Sequence, residues 1–115
     1  LRLTATWADA WNSAWFGRVD ERLRTRLAAL EAACGTVGRD PATVRRTIGI
    51  RYHDPGAAGR NDPMGLDAGA DGLADLLDEL AGLGLDDALV WSISKSPAAL
   101  DRIGEARRIH RARIG

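Results

Sequence analysis

Apolar residues recur at helical spacing along much of this chain, and the longest such stripe lies in its first third. Charged residues occupy the opposite side of the stripe, so the pattern predicts an amphipathic helix over residues 18–33. Gly35 or Gly38 is expected to end this helix. The apolar members of the stripe are Val19, Leu23, Leu27, Leu30 and Cys34.

Two further helices are predicted in the second half of the chain. Asp71 is expected to cap the first of them and Gly84 to end it, whereas Ser96 caps the second, with Pro97 in its first position. A shorter helix over residues 1–8 is expected to be the last two turns of a helix that begins outside the chain. The predicted buried stripes are Leu73, Leu76, Leu77, Leu80 and Leu83 in the first helix, and Leu100, Ile103, Ala106 and Ile109 in the second.

Three segments are typical of strands. Residues 44–52 alternate apolar and polar side chains with a period of two. Residues 88–91 are continuously apolar between polar neighbours, which predicts a strand buried on both faces. Residues 10–12 are expected to form a short strand after Asp9, with Asn12 and Ser13 starting the exit loop. Because Trp7, Trp11 and Trp15 are four residues apart, a continuous helix over residues 1–15 is the alternative.

The order of these elements predicts an α/β fold in a single domain over residues 1–115, with a long loop over residues 53–70. Strands separated by helices of this length require crossover connections, and these produce a parallel sheet of about three strands. Three strands leave open edges. The sheet is therefore expected to be completed by another copy, by missing sequence, or by the loop folding back.

The charge and cysteine content narrow the possible partners. The formal net charge is zero, so the basic face that nucleic-acid binding requires is not expected. No apolar run approaches the length of a membrane-spanning helix. Cys34 is the one cysteine and cannot form an internal disulfide, which favours a reducing cytoplasm. Because Cys34 lies on the apolar stripe, it is expected to be a core residue rather than a nucleophile.

Three motifs and their order resemble the C-terminal third of the bacterial luciferase-like monooxygenases, including their deazaflavin-dependent relatives. The motifs are Ala8-Asp9-Ala10-Trp11-Asn12, Gly38-Arg39-Asp40-Pro41, and Leu83-Gly84-Leu85-Asp86-Asp87-Ala88-Leu89-Val90. The resemblance implies the C-terminal portion of a (β/α)8 TIM-type barrel that binds flavin mononucleotide (FMN) or coenzyme F-420 and acts on a small organic substrate. The family's glycine-rich phosphate-binding turn would lie before Leu1, and its early-strand acid–base residues have no counterpart here, so the chain alone is expected to be inactive and its catalytic residues are unknown.

Active residues of such barrels follow the carboxyl ends of the strands, which directs attention to three places. The first comprises Trp11, Asn12 and Trp15. A tryptophan offers a flat apolar face to an isoalloxazine ring, and an asparagine can hydrogen-bond the edge of that ring. The alternative is that these tryptophans only fill the core or an interface.

The second place comprises Arg51, Tyr52 and His53, where a cation and an imidazole could hold a phosphate or a carboxylate of the cofactor. The alternative is that His53 is a solvated loop residue, since no partner is evident in the sequence. His110 lies in a basic helix end and is expected to be a surface residue.

The third place comprises Ser92, Ser94, Lys95 and Ser96, beside the start of the last predicted helix. A helix N-terminus favours phosphate, and barrels often place a phosphate site in their last loops. The alternative is that Ser96 only caps the helix. The spacing Ser92-x-x-Lys95 also occurs in serine β-lactamases, but that motif requires the serine at a helix start, which is not the context predicted here.

No His, Cys, Asp or Glu residues have the spacing of metal ligands, so no metal site is predicted. Two hypotheses remain for the function. In the first, the chain is a segment of a luciferase-like oxidoreductase and contributes cofactor contacts. In the second, it is a non-catalytic barrel fragment that self-associates or assembles with a larger partner.

Overall fold

The fold is described from a computed structural model, and the description covers residues 1–54, 65–93 and 96–114. Helices and strands alternate along these residues, and a single 3-10 turn at Pro41–Thr43 precedes the second strand. The elements are α1 (Arg2–Trp7), β1 (Ala10–Phe16), α2 (Glu21–Val37), β2 (Arg45–His53), β3 (Leu66–Asp67), α3 (Ala70–Gly82), β4 (Asp87–Ser92) and α4 (Pro97–Ile114).

Strand β2 lies at the centre of a parallel sheet, with β1 on one side and β4 on the other. The prediction of a parallel sheet of three strands with alternating helices is confirmed. The two-residue strand β3 was not predicted, and it pairs with the last two residues of β2. Because Tyr52 pairs with both Leu66 and Ser92, β3 and β4 lie on opposite sides of β2, so β3 is on the β1 side.

The main hydrophobic core lies between one face of the sheet and helices α2, α3 and α4. Ile48, Ile50 and Tyr52 of β2 are fully buried in it. The helices contribute the apolar stripes that the sequence predicts, since Leu23 and Leu27 of α2 belong to the same cluster as the leucines of α3. Burying one such side chain contributes roughly 1.5–3 kcal/mol to folding. One face of the sheet is therefore fixed by helix packing.

A second, smaller cluster joins α1 to α2. It contains Ala5, Leu30, Cys34 and Val44, so the prediction that Cys34 is a core residue is confirmed. The guanidinium of Arg39 donates hydrogen bonds to the carbonyl oxygens of Ala5 and Ala8, at 3.3 and 2.7 Å. These bonds satisfy the carboxyl end of α1 and hold the chain at the start of β1.

Two predicted helix ends are confirmed by the structure, and two predicted helix starts are wrong. Gly38 ends α2 in the left-handed conformation, with φ 72°, and the Ser96 hydroxyl accepts a hydrogen bond from Ala99 N at 3.1 Å. Helix α2 begins at Glu21, not at residue 18, because the Asp20 carboxylate caps Leu23 N at 2.9 Å. Asp71 does not cap α3. It lies in the first turn, where a carboxylate favours the helix dipole, and Gly69 is the N-cap.

Strand β1 is longer than predicted. It runs through Phe16, so Asn12 and Ser13 lie inside the strand rather than in an exit loop, and the alternative of one helix over residues 1–15 is wrong. The reason is tertiary, because the extended backbone of β1 pairs with β2 from Ala10 to Phe16 with an irregularity after Ser13. Short apolar runs cannot be assigned by period alone.

Two predicted burial patterns and one predicted loop are corrected. Strand β4 is not buried on both faces, since Leu89 is 60% exposed, and no helix among the described residues covers that side. Leu100 is also exposed, because Ala99 takes the buried position in the first turn of α4. The predicted loop over residues 53–70 is shorter than expected, because His53 belongs to β2 and residues 66–67 form β3. Residues 55–64 of this loop lie outside the described part of the chain.

Candidate functional site

Side chains that project from the sheet on the side opposite the helices form a largely exposed surface, which we call the open face, and Gly49 and His53 are its two buried members. The register of the parallel strands determines its members, because paired residues point to the same side. It consists of Asn12, Trp15, Arg45, Thr47, Gly49, Arg51, His53, Asp87, Leu89 and Trp91. Binding sites commonly lie at the carboxyl ends of parallel strands. The half of the open face nearest the carboxyl ends of β1, β2 and β4 is therefore the candidate site.

Two tryptophans form the centre of the candidate site. The ring centroids of Trp15 and Trp91 are 5.6 Å apart with the planes tilted by 47°. The two residues are 40% and 41% exposed. They line a shallow depression of about 490 Å³ together with Arg51, Leu89 and Val90. Large aromatic rings that stay half exposed offer a flat apolar surface to a ligand.

The Trp15 ring lies directly across Gly49 of β2. A Cβ atom added to Gly49 would lie 2.6 Å from the Trp15 ring and 3.1 Å from the Ala14 Cβ. Such distances are too short for any side chain, so only glycine at this position allows the ring to lie against the sheet. Gly49 thereby lets Trp15 of β1 lie across β2 and contact Trp91 of β4.

Arg51 adds a positive charge beside this aromatic surface. Its guanidinium carbon is 4.9 Å from the Trp91 ring centroid, within the range of a cation–π interaction. The residue is half-buried and in register with Trp91. A ligand lying on the tryptophans would therefore meet a guanidinium at its edge, which favours a ligand with an anionic or polar substituent.

Polar side chains at the amino end of the open face hydrogen-bond to one another. The Thr47 hydroxyl donates to Asn12 Oδ1 at 2.8 Å, and the Arg45 guanidinium makes two hydrogen bonds to the Asp87 carboxylate, at 2.6 and 2.9 Å. The Arg45 hydrogen bond lowers the pKa of Asp87 below its ordinary value. These groups hydrogen-bond to one another, and the exposed tryptophan pair lies nearer the carboxyl end, which is the better candidate for binding a ring.

The carboxyl end of the sheet carries buried polar atoms without partners. Among the described residues these are Tyr52 Oη, His53 Nδ1 and Ser92 Oγ. Burial, and after it the nearby Asp54 carboxylate, raises the pKa of Tyr52 above its ordinary value. Buried polar groups without a partner are rare in proteins and often mark a place where a ligand or water binds.

The predicted site residues do not all come together. Trp15 and Arg51 meet beside Trp91, and His53 follows Arg51 by two residues on the same face. Asn12 pairs with Thr47, four residues before Arg51, so it lies roughly 13 Å away along the sheet. Trp11 packs on the helix side against both clusters, and Ser92 also faces that side. Ser94 and Lys95 lie outside the described residues.

Sequence reasoning missed Trp91, Leu89 and Gly49 as parts of the site. The continuously apolar run over residues 88–91 predicts a strand buried on both faces, whereas the strand has a core side and an exposed side. The signal available was Gly49 itself. A glycine in the interior of a strand often marks a close approach by another group, and here that group is Trp15.

Comparisons with known proteins identify no relative. No protein family, curated protein or solved structure matches this chain. In the described part of the chain, no helix combines the length and apolar character needed to cross a membrane, and no group of three or more His, Cys, Asp or Glu side chains could hold a metal ion. The case for a function therefore depends on the open face and on the resemblance in sequence.

Proposed function

We propose that this chain is part of a luciferase-like oxidoreductase of the reducing cytoplasm and contributes one wall of the site for FMN or coenzyme F-420. The observation that carries the proposal is the paired Trp15 and Trp91 on a sheet face left open by the helices, with Arg51 at their edge. The substrate would be a small organic molecule bound against the same wall.

The topology of the sheet supports a barrel segment. Strands β1, β2 and β4 are parallel and lie side by side in that order, and the helices α2, α3 and α4 pack on one face of them. The wall of a (β/α)8 barrel has this construction, with helices outside and strand side chains inside. In an open doubly wound sheet, by contrast, helices would cover both faces. The remaining strands of the barrel would come from missing sequence or from another chain.

The residues of the open face fit a planar ring system with polar substituents. The two tryptophans would hold the ring, and Arg51 would meet a phosphate or another anionic group. Among the predicted phosphate contacts, Ser94 and Lys95 stay part of the proposal, whereas Ser92 faces the helix side of the sheet and the Ser96 hydroxyl already caps α4. The bound cofactor would supply the hydride or oxygen chemistry, while this chain supplies orientation and shielding.

Tryptophan fluorescence tests the proposal directly. Adding oxidised or reduced FMN, or coenzyme F-420, is expected to quench the emission of Trp15 and Trp91 with saturation in the micromolar range, roughly −8 kcal/mol of binding free energy. The variant Trp91→Ala should lose most of this quenching. Trp7→Ala is the matched control, because Trp7 is 80% exposed on α1 and lies outside the open face. Absence of quenching at high micromolar cofactor would refute the proposal for this chain.

Self-association is the second candidate function, and one observation favours it. Leu89 is 60% exposed next to Trp15 and Trp91, so an apolar part of the sheet is left in contact with water. Exposed apolar patches commonly mark interaction surfaces. In this alternative a second copy of the chain would cover the open face and no cofactor would be needed.

Sedimentation velocity separates the two functions. Self-association through the open face predicts a concentration-dependent dimer that Leu89→Lys abolishes. Leu100→Lys is the control, because Leu100 is similarly exposed but lies on α4. A stable monomer at all concentrations would exclude self-association, and cofactor quenching by that monomer would favour the oxidoreductase.

A further inference from the structure

The buried polar atoms without partners are concentrated at one edge of the sheet. Tyr52 and His53 are the last two residues of β2, and Ser92 is the last residue of β4. Tyr52 and Ser92 are paired in register on the helix side, whereas His53 points to the open face. These three are the complete set among the described residues, so the carboxyl edge differs from the rest of the described sheet and helices.

His53 is the chemically most versatile of the three. Its side chain is 7% exposed, and its Nδ1 atom lies 3.8 Å from Asp67 Oδ1. Asp67 is its direct neighbour in register on β3, so both side chains are on the same face of the sheet. The other charged groups near this position are Arg51, two residues earlier on β2, and the Asp54–Arg102 pair, whose atoms are 3.4 Å apart.

The distance of 3.8 Å is too long for a hydrogen bond, since it exceeds the typical N···O distance by about 0.9 Å. Catalytic hydrogen bonds are often long in the ligand-free protein and close when a ligand binds. The second histidine–aspartate pair of the chain provides a contrast, because His110 Nδ1 lies 2.6 Å from Asp78 Oδ1 between α4 and α3. The His110–Asp78 pair is hydrogen-bonded and joins two helices, whereas the His53–Asp67 pair is not hydrogen-bonded and lies at the edge of the candidate site.

We propose that His53 and Asp67 form an acid–base pair that accepts the proton of an acidic O–H group on a planar ligand bound to Trp15 and Trp91. Asp67 is the positioning residue, because its carboxylate accepts a hydrogen bond from Nδ1–H and leaves Nε2 of His53 free as the proton acceptor. In the step, the O–H bond of the ligand breaks and an Nε2–H bond forms. The products are a ligand anion and an imidazolium ion paired with the Asp67 carboxylate.

The geometry allows one ligand to reach both parts of this site. Arg51 is in register with Trp91, and His53 is two residues further along the same face, so the offset is roughly 7 Å. This offset is comparable to the length of a small ring with one substituent. The position of the ligand rests on the proposed function, whereas the pairing of His53 with Asp67 does not.

Nitrogen-15 NMR tests the histidine–aspartate pair without any ligand. The chain has two histidines, so both can be assigned with one variant each. His53 is expected to carry its proton on Nδ1 in the natural chain and to change to the Nε2–H tautomer in Asp67→Ala. Asp67 is about half exposed, so this variant should fold. Asp78→Ala is the matched control and should alter the His110 signals only. An Nε2–H tautomer in the natural chain, or no change in Asp67→Ala, would overturn the pairing.

A planar phenol with a coloured anion, para-nitrophenol, tests the proton transfer. Its quenching of tryptophan fluorescence reports binding, and the absorbance of its anion reports ionisation. The bound phenol is expected to ionise at a pH about one unit or more below the free phenol, which is about a tenfold gain in the ionised form. Asp67→Ala and His53→Gln should abolish this gain and keep the quenching, whereas Trp91→Ala should remove the quenching.

The outcomes separate this inference from the proposed function. Quenching without any change in ionisation would overturn the acid–base pair and leave the cofactor site intact. Absence of quenching by para-nitrophenol would overturn the placement of the ligand, and with it the proton transfer. If FMN and F-420 also failed to quench, the proposed function would fall as well.

Discussion

Adjacent residues of strand β2 lie in opposite surroundings. Ile48, Ile50 and Tyr52 are fully buried under the helices, whereas Gly49 and Arg51 lie between them on the open face beside half-exposed tryptophans. The covered face is filled by apolar side chains and fixes the fold. The open face combines aromatic, cationic and imidazole groups, and most of its side chains are in contact with water, whereas His53 at its carboxyl end is buried. Stability and binding are therefore expected to depend on alternate residues of the same strand.

The largest expected effect is the difference in stability loss between substitutions on the covered face and on the open face. Ile50→Ala removes a fully buried side chain and should lower the free energy of unfolding by about 2–5 kcal/mol. Leu89→Ala, on the open face, should change it by less than about 0.5 kcal/mol, because Leu89 is already largely in water. Urea denaturation followed by circular dichroism measures both values. Equal losses would mean that the open face is covered in solution.

The next effect tests how the open face is built. Gly49→Ala would place a Cβ atom 2.6 Å from the Trp15 ring, so the ring must move, at a cost of about 1–3 kcal/mol. The near-ultraviolet circular dichroism of the Trp15–Trp91 pair should change at the same time. Gly104→Ala is the control, since its nearest neighbour would be 3.7 Å away and alanine favours the helix by roughly 0.5–1 kcal/mol. An unchanged aromatic signal in Gly49→Ala would contradict the close packing.

A smaller effect concerns the hydroxyl group of Tyr52. Tyr52→Phe removes a buried hydroxyl without a partner and is expected to leave stability unchanged or raise it by about 1 kcal/mol. Ser96→Ala removes a hydroxyl that caps α4 and should lower stability by about 1 kcal/mol. Thermal denaturation measures the two variants side by side. A loss of similar size in Tyr52→Phe would show that its hydroxyl has a partner in solution.

The smallest effect is the acid dependence of the surface ion pairs. Hydrogen bonds from His110 and then Arg113 lower the pKa of Asp78 on the helix side, as the Arg45 hydrogen bond lowers that of Asp87 on the open face. A carboxyl group with a lowered pKa in the folded state stabilises the fold above its unfolded pKa, near 3.9, and loses this contribution as the pH falls through the folded value.

Denaturation midpoints at pH 7 and at pH 3 measure this contribution. The midpoint should be lower at pH 3, and the difference should shrink in Asp87→Asn and in Asp78→Asn. Asp101→Asn is the control, because Asp101 is exposed on α4 and should leave the difference unchanged. A difference that persists in both paired variants would mean that other carboxyl groups determine the acid sensitivity.

Local patterns in the sequence predicted the covered face well. The period of α2 placed Leu23, Leu27 and Cys34 in the core, and Ser96 marked the start of α4. These features depend on neighbours within one or two turns of the chain. The parallel order of β1, β2 and β4 also followed, because each strand is followed by a helix or leads to one.

The open face was predicted only in part, because its properties depend on residues distant in sequence. Trp15 and Arg51 were identified as candidates, but Trp91 joins them only through the pairing of β4 with β2. Asp67 was placed in a loop, since a two-residue strand leaves no period to detect. Which face of a strand stays uncovered depends on where the helices pack, and no local pattern specifies that.

The central position of β2 has a consequence for how the chain folds. Its partners are distant, since Arg45 pairs with Ala10, 35 residues earlier (45 − 10), and Thr47 pairs with Asp87, 40 residues later (87 − 47). Loops must close over these separations before any strand contact forms, and domains with such non-local pairing fold more slowly than helical bundles. A nascent chain that ends before residue 87 would display β2 with one edge unpaired, so synthesis of β4 is the step that supplies the second partner of β2.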